Sequence, residues 1–142
     1  MAGERVWGTQ FVVSSGSDGT INAGAVATPG GTNPYSTSQT ADYPHLAFML
    51  TTTFTTAPTA MRTVDIHIVP QQVDGTTDAR DISASYRPYW VTSFTVDNIA
   101  TTVTYYCEAY DVPKEGKIML YNGTDQQQGA NYTLKATPFK IG

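Results

Sequence analysis

The stretch Thr63-Val64-Asp65-Ile66-His67-Ile68-Val69-Pro70 decides the fold class of this chain. Its apolar residues, all β-branched, alternate with polar ones, and a period of two sends successive side chains to opposite faces of a strand. β-Branched residues suit the pleated, half-buried surface of a sheet. Since Pro70 has no N–H to give to a ladder, the strand is predicted to end there or to lie at an edge.

The rest of the chain is predicted to form further short strands that cover this one. They are expected within residues 4–13, 21–27, 45–56, 89–96, 101–110, 117–121 and 131–137, and no segment has a helical period of useful length. Short strands separated by Gly- and Pro-rich turns are typical of sandwiches and small barrels. We therefore predict an all-β fold, an antiparallel β-sandwich of jelly-roll type, in a single domain over residues 1–142.

The sequence makes a specific prediction for each of three connections between strands. Residues 14–44 are rich in Gly, Ser and Pro and are predicted to form a long N-terminal arm or loop that a partner would order. The turn at 57–60 is predicted to join the strands on either side of it as an antiparallel pair. Asn122-Gly123 is the sequence signal of a type I′ hairpin turn, although the polar run that follows lengthens the loop.

Charge and composition exclude several classes of partner. Of 142 residues only 14% are charged, the net charge is −4, and the basic residues form no cluster, so neither nucleic acid nor an anionic membrane is expected as a direct partner. No stretch has the roughly 18 apolar residues of a membrane span. Cys107 is the only cysteine, and the N-terminal residues lack an apolar segment, so we expect no internal disulfide, no signal peptide and a reducing cytoplasm.

Catalytic chemistry has few candidate residues. His45 and His67 are the only histidines and so the only candidate imidazole bases, and His67 is predicted to face the surface or an interface. A nucleophile needs a base and an orienting group within hydrogen-bond reach, and no Gly-x-Ser-x-Gly motif is present. We predict no catalytic residues, no enzyme activity and no cofactor.

One acidic loop raises the question of a metal. Asp74, Asp78 and Asp81 lie close together in sequence, and carboxylate oxygens are Ca²⁺ ligands. Their spacing does not match an EF-hand, and Arg80 can neutralise a neighbour. Aspartate as a turn-forming residue is the favoured interpretation, so no metal site is predicted, although Ca²⁺ binding stays open.

Tyrosine and tryptophan are concentrated in two adjoining segments, at Tyr86, Tyr89, Trp90, Tyr105, Tyr106 and Tyr110. Three roles are open for them: cross-strand pairs that stabilise the sheet, a protein-contact patch, or a platform on which sugar rings stack. Alternation places Val103, Tyr105 and Cys107 on one side of their strand and Tyr106, Glu108 and Tyr110 on the other. Cys107 is therefore predicted to be a buried, unreactive thiol.

The whole chain resembles a family of virion proteins. Its features are the small acidic, Thr- and Gly-rich composition, the start Met-Ala-Gly, the strand 64–70 followed by Gln72-Val73-Asp74-Gly75, and the Gly/Pro arm. In these respects it is similar to the capsid cement, or decoration, proteins of tailed bacteriophages, of jelly-roll type.

The resemblance implies a structural protein of the virion, made in the bacterial host cytoplasm. It would form a homodimer or homotrimer, bind the outside of the capsid shell and hold neighbouring subunits of the major capsid protein together. It would have no enzyme activity and no cofactor. The alternative is a carbohydrate-binding β-sandwich module of the tail-fibre or adhesion type.

Overall fold

The computed structural model describes residues 3–31 and 34–142. These residues form nine strands and one short helix. The strands are β1 Arg5–Trp7, β2 Phe11–Ser15, β3 Val26–Ala27, β4 His45–Thr52, β5 Thr63–Pro70, β6 Trp90–Thr95, β7 Val103–Ala109, β8 Gly116–Asn122 and β9 Thr133–Ile141, and the helix is α1 Thr37–Thr40. The prediction of an all-β fold is confirmed.

The strands form two antiparallel sheets. In the first sheet the order is β1-β9-β4-β7, with β2 also paired to β9, and in the second it is β3-β8-β5-β6. From β2 to β5 each successive strand lies in the opposite sheet, and the same alternation returns from β6 to β9. This is an eight-stranded, double-sheet jelly roll with β1 added at one edge, so the predicted sandwich is confirmed.

Alternating apolar residues build the core between the sheets. Ile66 of β5 and Phe48 of β4, each 0% exposed, come from opposite sheets. Other fully enclosed members of this core are Leu46, Leu50, Val64, Phe94, Leu120, Leu134 and Ala136. The inward face predicted for β7 is also confirmed, because Tyr105 and Cys107 pack against this core.

Two predicted turns are wrong. β4 and β5 are not an antiparallel pair: β4 lies between β7 and β9, while β5 lies between β6 and β8. The connection 53–62 therefore crosses between the sheets. A type I′ turn needs a positive φ at both central residues, and neither Asn122 nor Gly123 has one. The buried Asn122 amide instead donates to the carbonyl oxygens of Ile21 and Gln126.

A bulge in β6 separates its two aromatic residues. Ile66 lies opposite Thr92 and His67 opposite Trp90, so Val91 is the extra residue. Phe94 consequently points into the core, while Trp90 is turned to the other side of the sheet and is 60% exposed.

The segment 14–44 does not form an extended arm in its described part. Ile21, 2% exposed, bridges to Gln128, and β3 extends the second sheet alongside β8. Tyr35, 3% exposed, pairs with Gly116, where an added Cβ would lie 2.4 Å from Ile68. The Gly, Ser and Pro content predicts a loop, but a few apolar side chains pack this segment against the two sheets. Thr32 and Asn33 lie outside the described residues.

A loop covers the outer side of the second sheet. Residues 71–89, here called the cover loop, place Ile82 against Val69 and Met119, which face away from the main core. All three side chains are less than 5% exposed. The cover loop therefore buries part of the outer side of the second sheet, around Val69 and Met119, although Trp90 on that side stays 60% exposed.

Candidate functional site

The solvent-facing side of the first sheet, here called the open face, is the main candidate for a binding surface. In the strand register, Val12, Lys135, Met49 and Tyr106 form one row across β2, β9, β4 and β7. A second row consists of Trp7, Phe139, His45 and Tyr110. Between the rows lie Ala47 and Glu108.

Exposed apolar side chains are concentrated on this face. Within residues 3–31 and 34–142, ten large hydrophobic residues are exposed, and six of them lie here: Trp7, Val12, Met49, Tyr106, Tyr110 and Ile141. Their exposed fractions run from 43 to 57%. Soluble monomers rarely expose contiguous apolar patches larger than roughly a few hundred Å², and exposed apolar side chains gathered on one face mark interaction sites.

An ion pair crosses the open face from β1 to β7. Arg5 Nε and Nη2 donate to the two carboxylate oxygens of Glu108, each over 2.6 Å. The hydroxyl groups of Tyr106 and Tyr110 donate to the same carboxylate. Glu108 thus accepts four hydrogen bonds from three side chains, and the bidentate geometry is the strong form of this pair.

This network sets the charge state of the face. Hydrogen bonds from Arg5 are the main cause that lowers the pKa of the Glu108 carboxyl to about 2. The same carboxylate raises the pKa of the Arg5 guanidinium. Burial, followed by the hydrogen bond to Glu108, raises the pKa of Tyr106, and that of Tyr110 is raised chiefly by its bond to Glu108. The network is therefore fixed in one protonation state across the neutral range.

Beneath the ion pair lies a group of tilted rings. Phe139 is 0% exposed although it is on the solvent-facing side, because Trp7, His45 and Tyr110 surround it and Arg5 lies over it. The ring planes of these pairs are inclined by 50–83°. Such inclined packing holds the rings of Trp7, His45 and Tyr110 rigidly around Phe139.

Neither histidine is arranged as a catalytic base. His45 Nδ1 accepts from the backbone N–H of Asp111 over 3.0 Å, which leaves its imidazole packed between Tyr110 and Phe139. His67 is 2% exposed, so the prediction that it faces the surface or an interface is wrong. The cover loop buries it, and its Nδ1 lies 2.9 Å from the Pro88 carbonyl oxygen.

The acidic loop does not bring its carboxylates together. Asp74 accepts from the backbone N–H groups of Thr76 and Thr77, which lowers its pKa to about 2. The Asp78 carboxylate accepts a hydrogen bond from the backbone N–H of Gln72. The Asp81 carboxylate forms an ion pair with the Lys117 ammonium over 2.8 Å. Asp74 thus forms a turn, as the sequence interpretation predicts, whereas Asp81 forms an ion pair with a residue 36 positions away. Within the ranges that the structure describes, no group of three or more acidic, His or Cys side chains could hold a metal ion.

The aromatic residues singled out from the sequence fall into separate places. Tyr106 and Tyr110 lie on the open face, as their phase predicts, whereas Tyr105 faces inward. Tyr86, Tyr89 and Trp90 lie on or beside the cover loop, where Arg80 stacks on the Tyr86 ring at 4.5 Å. The single aromatic patch suggested by adjoining segments is therefore two unrelated groups.

Cys107 is half-buried rather than fully buried, although its inward phase is confirmed. Burial is the main cause that raises the pKa of its thiol to about 12. An unreactive thiol is expected at neutral pH, because the thiolate is the nucleophilic form.

Sequence reasoning missed two residues of the open face. The sequence predicts Trp7 only as part of the strand within residues 4–13, and it assigns no role to Arg5. Arg5 and Glu108 are 103 positions apart, and no local pattern predicts that β1 and β7 belong to the same sheet. The sequence offers one sign of this site, which is that Glu108 is a single carboxylate between two tyrosines on the outward-facing side of β7.

None of the described residues forms a helix long and apolar enough to span a membrane. In comparisons with known proteins, the chain matches no family model, no curated protein and no solved structure.

Proposed function

We propose that this protein acts by binding alone, as a structural protein of a tailed-phage virion. It would bind the outside of the capsid shell and hold neighbouring subunits of the major capsid protein together. The capsid as partner comes from the sequence resemblance. The observation that carries a binding role is the open face, which concentrates exposed apolar side chains on the solvent-facing side of the first sheet.

Two features favour a protein partner over a carbohydrate. Sugar rings stack on flat, exposed aromatic surfaces, but the rings that pack around Phe139 on the open face are inclined to their neighbours by 50–83°. The face also combines Tyr, Trp and Met with an Arg, the residue types that are enriched at protein–protein interfaces. A flat, rigid sheet surface suits a partner that presents a broad surface of its own.

Binding alone would be sufficient to stabilise a shell. A molecule that binds the assembled state and not the separated subunits shifts the equilibrium towards assembly by its differential affinity. A homodimer or homotrimer would bind more tightly than one copy, because the second contact forms at a high effective concentration.

The test is co-sedimentation of the purified protein with DNA-filled heads that lack it. We expect saturable binding with a fixed ratio of this protein to the major capsid protein. A parallel glycan-binding screen provides the alternative. If the protein binds a defined glycan and does not sediment with heads, the carbohydrate-binding function replaces this proposal.

A further inference from the structure

We infer that the open face is the surface that contacts the capsid protein, and that the partner places a carboxylate opposite Lys135. This inference rests on the proposed function and names the contact surface within it. Three observations carry it: the satisfied ion network, the position of Lys135, and the charge balance of the face.

The ion pair on the open face is already prepared for burial. Covering a charge in an interface is costly when its hydrogen bonds to water are lost without replacement. Glu108 accepts four hydrogen bonds from Arg5, Tyr106 and Tyr110, and only 14% of its side chain is exposed. A partner could therefore cover the Glu108 carboxylate without supplying a donor of its own, and the rigid network would lose little entropy on binding.

Lys135 differs from the other charges on this face. It lies between Val12 and Met49 in the row across the sheet, so its cross-strand neighbours are both exposed and apolar. The structure's described residues provide it with no hydrogen bond or ion pair, whereas Lys117 pairs with Asp81 and Lys114 donates to the Ala41 carbonyl. Once an apolar partner covered Val12 and Met49, the Lys135 ammonium would require an acceptor.

The charge balance argues against a second copy of this chain on the open face. Arg5 and Lys135 against Glu108 give the face a charge of 2 − 1 = +1, and the chain as a whole carries −4. Two copies related by a two-fold axis near the centre of the row, at Lys135, would bring the two ammonium groups together, and Glu108 is already occupied. Like charges across an interface oppose association, so a different, carboxylate-bearing surface fits better.

The first experiment uses the two exposed tryptophans as a matched pair. Trp7 on the open face is 49% exposed and Trp90 on the opposite side of the molecule is 60% exposed. Binding to heads that lack the protein would be measured for Trp7→Ser and Trp90→Ser by co-sedimentation. We expect Trp7→Ser to weaken binding at least about tenfold, as for a buried aromatic anchor, and Trp90→Ser to leave it unchanged.

The second experiment tests the charge. Lys135→Glu and Lys114→Glu make the same charge change at two exposed lysines, only one of which is on the open face. We expect Lys135→Glu alone to weaken binding to heads by about tenfold or more and to abolish the loss of affinity with added salt.

The outcomes separate this inference from the proposed function. If the wild-type protein fails to bind heads, the proposed function fails. If it binds, and Trp90→Ser weakens binding while Trp7→Ser does not, the function stands and the assignment of the face is wrong. If Trp7→Ser dissociates a homo-oligomer in size-exclusion with light scattering, the face is a self-interface, and this overturns the inference even when head binding also weakens, because loss of the oligomer alone weakens binding. Should Trp7→Ser fail to fold, Val12→Ser, at a position 57% exposed, tests the same face.

Discussion

Glu108 organises the open face at the scale of single residues. It holds Arg5 across the sheet and orients the hydroxyl groups of Tyr106 and Tyr110. Because these donors stabilise the charged form, the pKa of the Glu108 carboxyl is lowered to about 2, and the group stays ionised at pH values below those at which a glutamate usually takes up a proton. The same bonds fix the side chains that a partner would meet, so one residue contributes to both stability and binding.

The stability contributed by Glu108 should depend on pH in a defined direction. Because its folded-state pKa is lower than the unfolded value of about 4.3, the contribution is fully present above that value and is lost as the pH falls towards about 2. We expect Glu108→Gln to lower the free energy of unfolding by roughly 1 kcal/mol at pH 7, with the difference shrinking between pH 4 and about 2.

Urea unfolding of both proteins at a series of pH values measures this difference. Glu4→Gln is the control, since Glu4 adjoins Arg5 but has no side-chain hydrogen bond within the described residues. A difference between wild type and Glu108→Gln that stays constant from pH 7 to pH 2 would show that the carboxylate does not carry the effect.

Ile66 tests the assignment of the core. Its side chain is 0% exposed at the centre of β5 and packs between the two sheets. We expect Ile66→Ala to lower the free energy of unfolding by about 2–5 kcal/mol, because it removes buried methyl groups and leaves a cavity. Urea unfolding measures the change, and a loss of less than about half a kcal/mol would mean that β5 is assigned inside out.

At the scale of elements, strands with strict alternation could be predicted and their partners could not. The apolar phases of β4, β5, β7 and β8 follow from residues two apart. Which strands lie side by side depends on contacts between distant parts of the chain, so the pairing of β4 with β5 was predicted wrongly. Bulges shift the phase locally, which is why Trp90 could not be placed from its neighbours.

The segment 14–44 shows how few apolar residues are needed to fix a loop. Ile21, Val26 and Tyr35 anchor it, and the buried Asn122 amide bonds to the Ile21 carbonyl. Composition favoured an arm because Gly, Ser and Pro outnumber these anchors. The sequence carried no sign that the anchors meet β8 and Gln128.

Hydrogen exchange tests this element in the free protein. The amides of Ile21, Gly24 and Tyr35 donate to carbonyl oxygens of Gln128, Asn122 and Gly116 over 2.8–3.2 Å. We expect these three amides to be protected before any partner is bound, with protection approaching that of β4. Fast exchange of all three in the free protein, with protection gained only on heads, would restore the predicted arm that a partner orders.

At the scale of the whole molecule, the two sheets have different surroundings. The second sheet packs on the core on one side and is partly buried by the cover loop on the other, while the first sheet leaves six large apolar side chains partly exposed to solvent. The sandwich is therefore asymmetric, because the chain's own loop packs on the second sheet while the outer side of the first sheet faces solvent. The sequence predicted the sandwich but not this asymmetry, because the cover loop is mostly polar and packs on the sheet through a few apolar residues, chiefly Ile82 with Ala79 and Tyr89.

The arrangement of the polar side chains is the reason that a binding role, rather than catalysis, is proposed. The candidate bases His45 and His67 are packed and hydrogen-bonded in separate places, and the acidic loop uses its carboxylates in turns and one ion pair. What the molecule offers to solvent is a rigid, nearly charge-balanced sheet surface, which is suited to contact with another protein.

The most direct test of the central claim is the temperature at which DNA-filled heads release their DNA. It would be measured with a DNA-binding dye for heads that lack the protein, before and after addition of the purified chain, with Trp7→Ser and Trp90→Ser as paired variants. We expect wild type and Trp90→Ser to raise the release temperature, while Trp7→Ser has little effect at the same concentration. A release temperature that does not change when saturating wild-type protein is added would contradict the account.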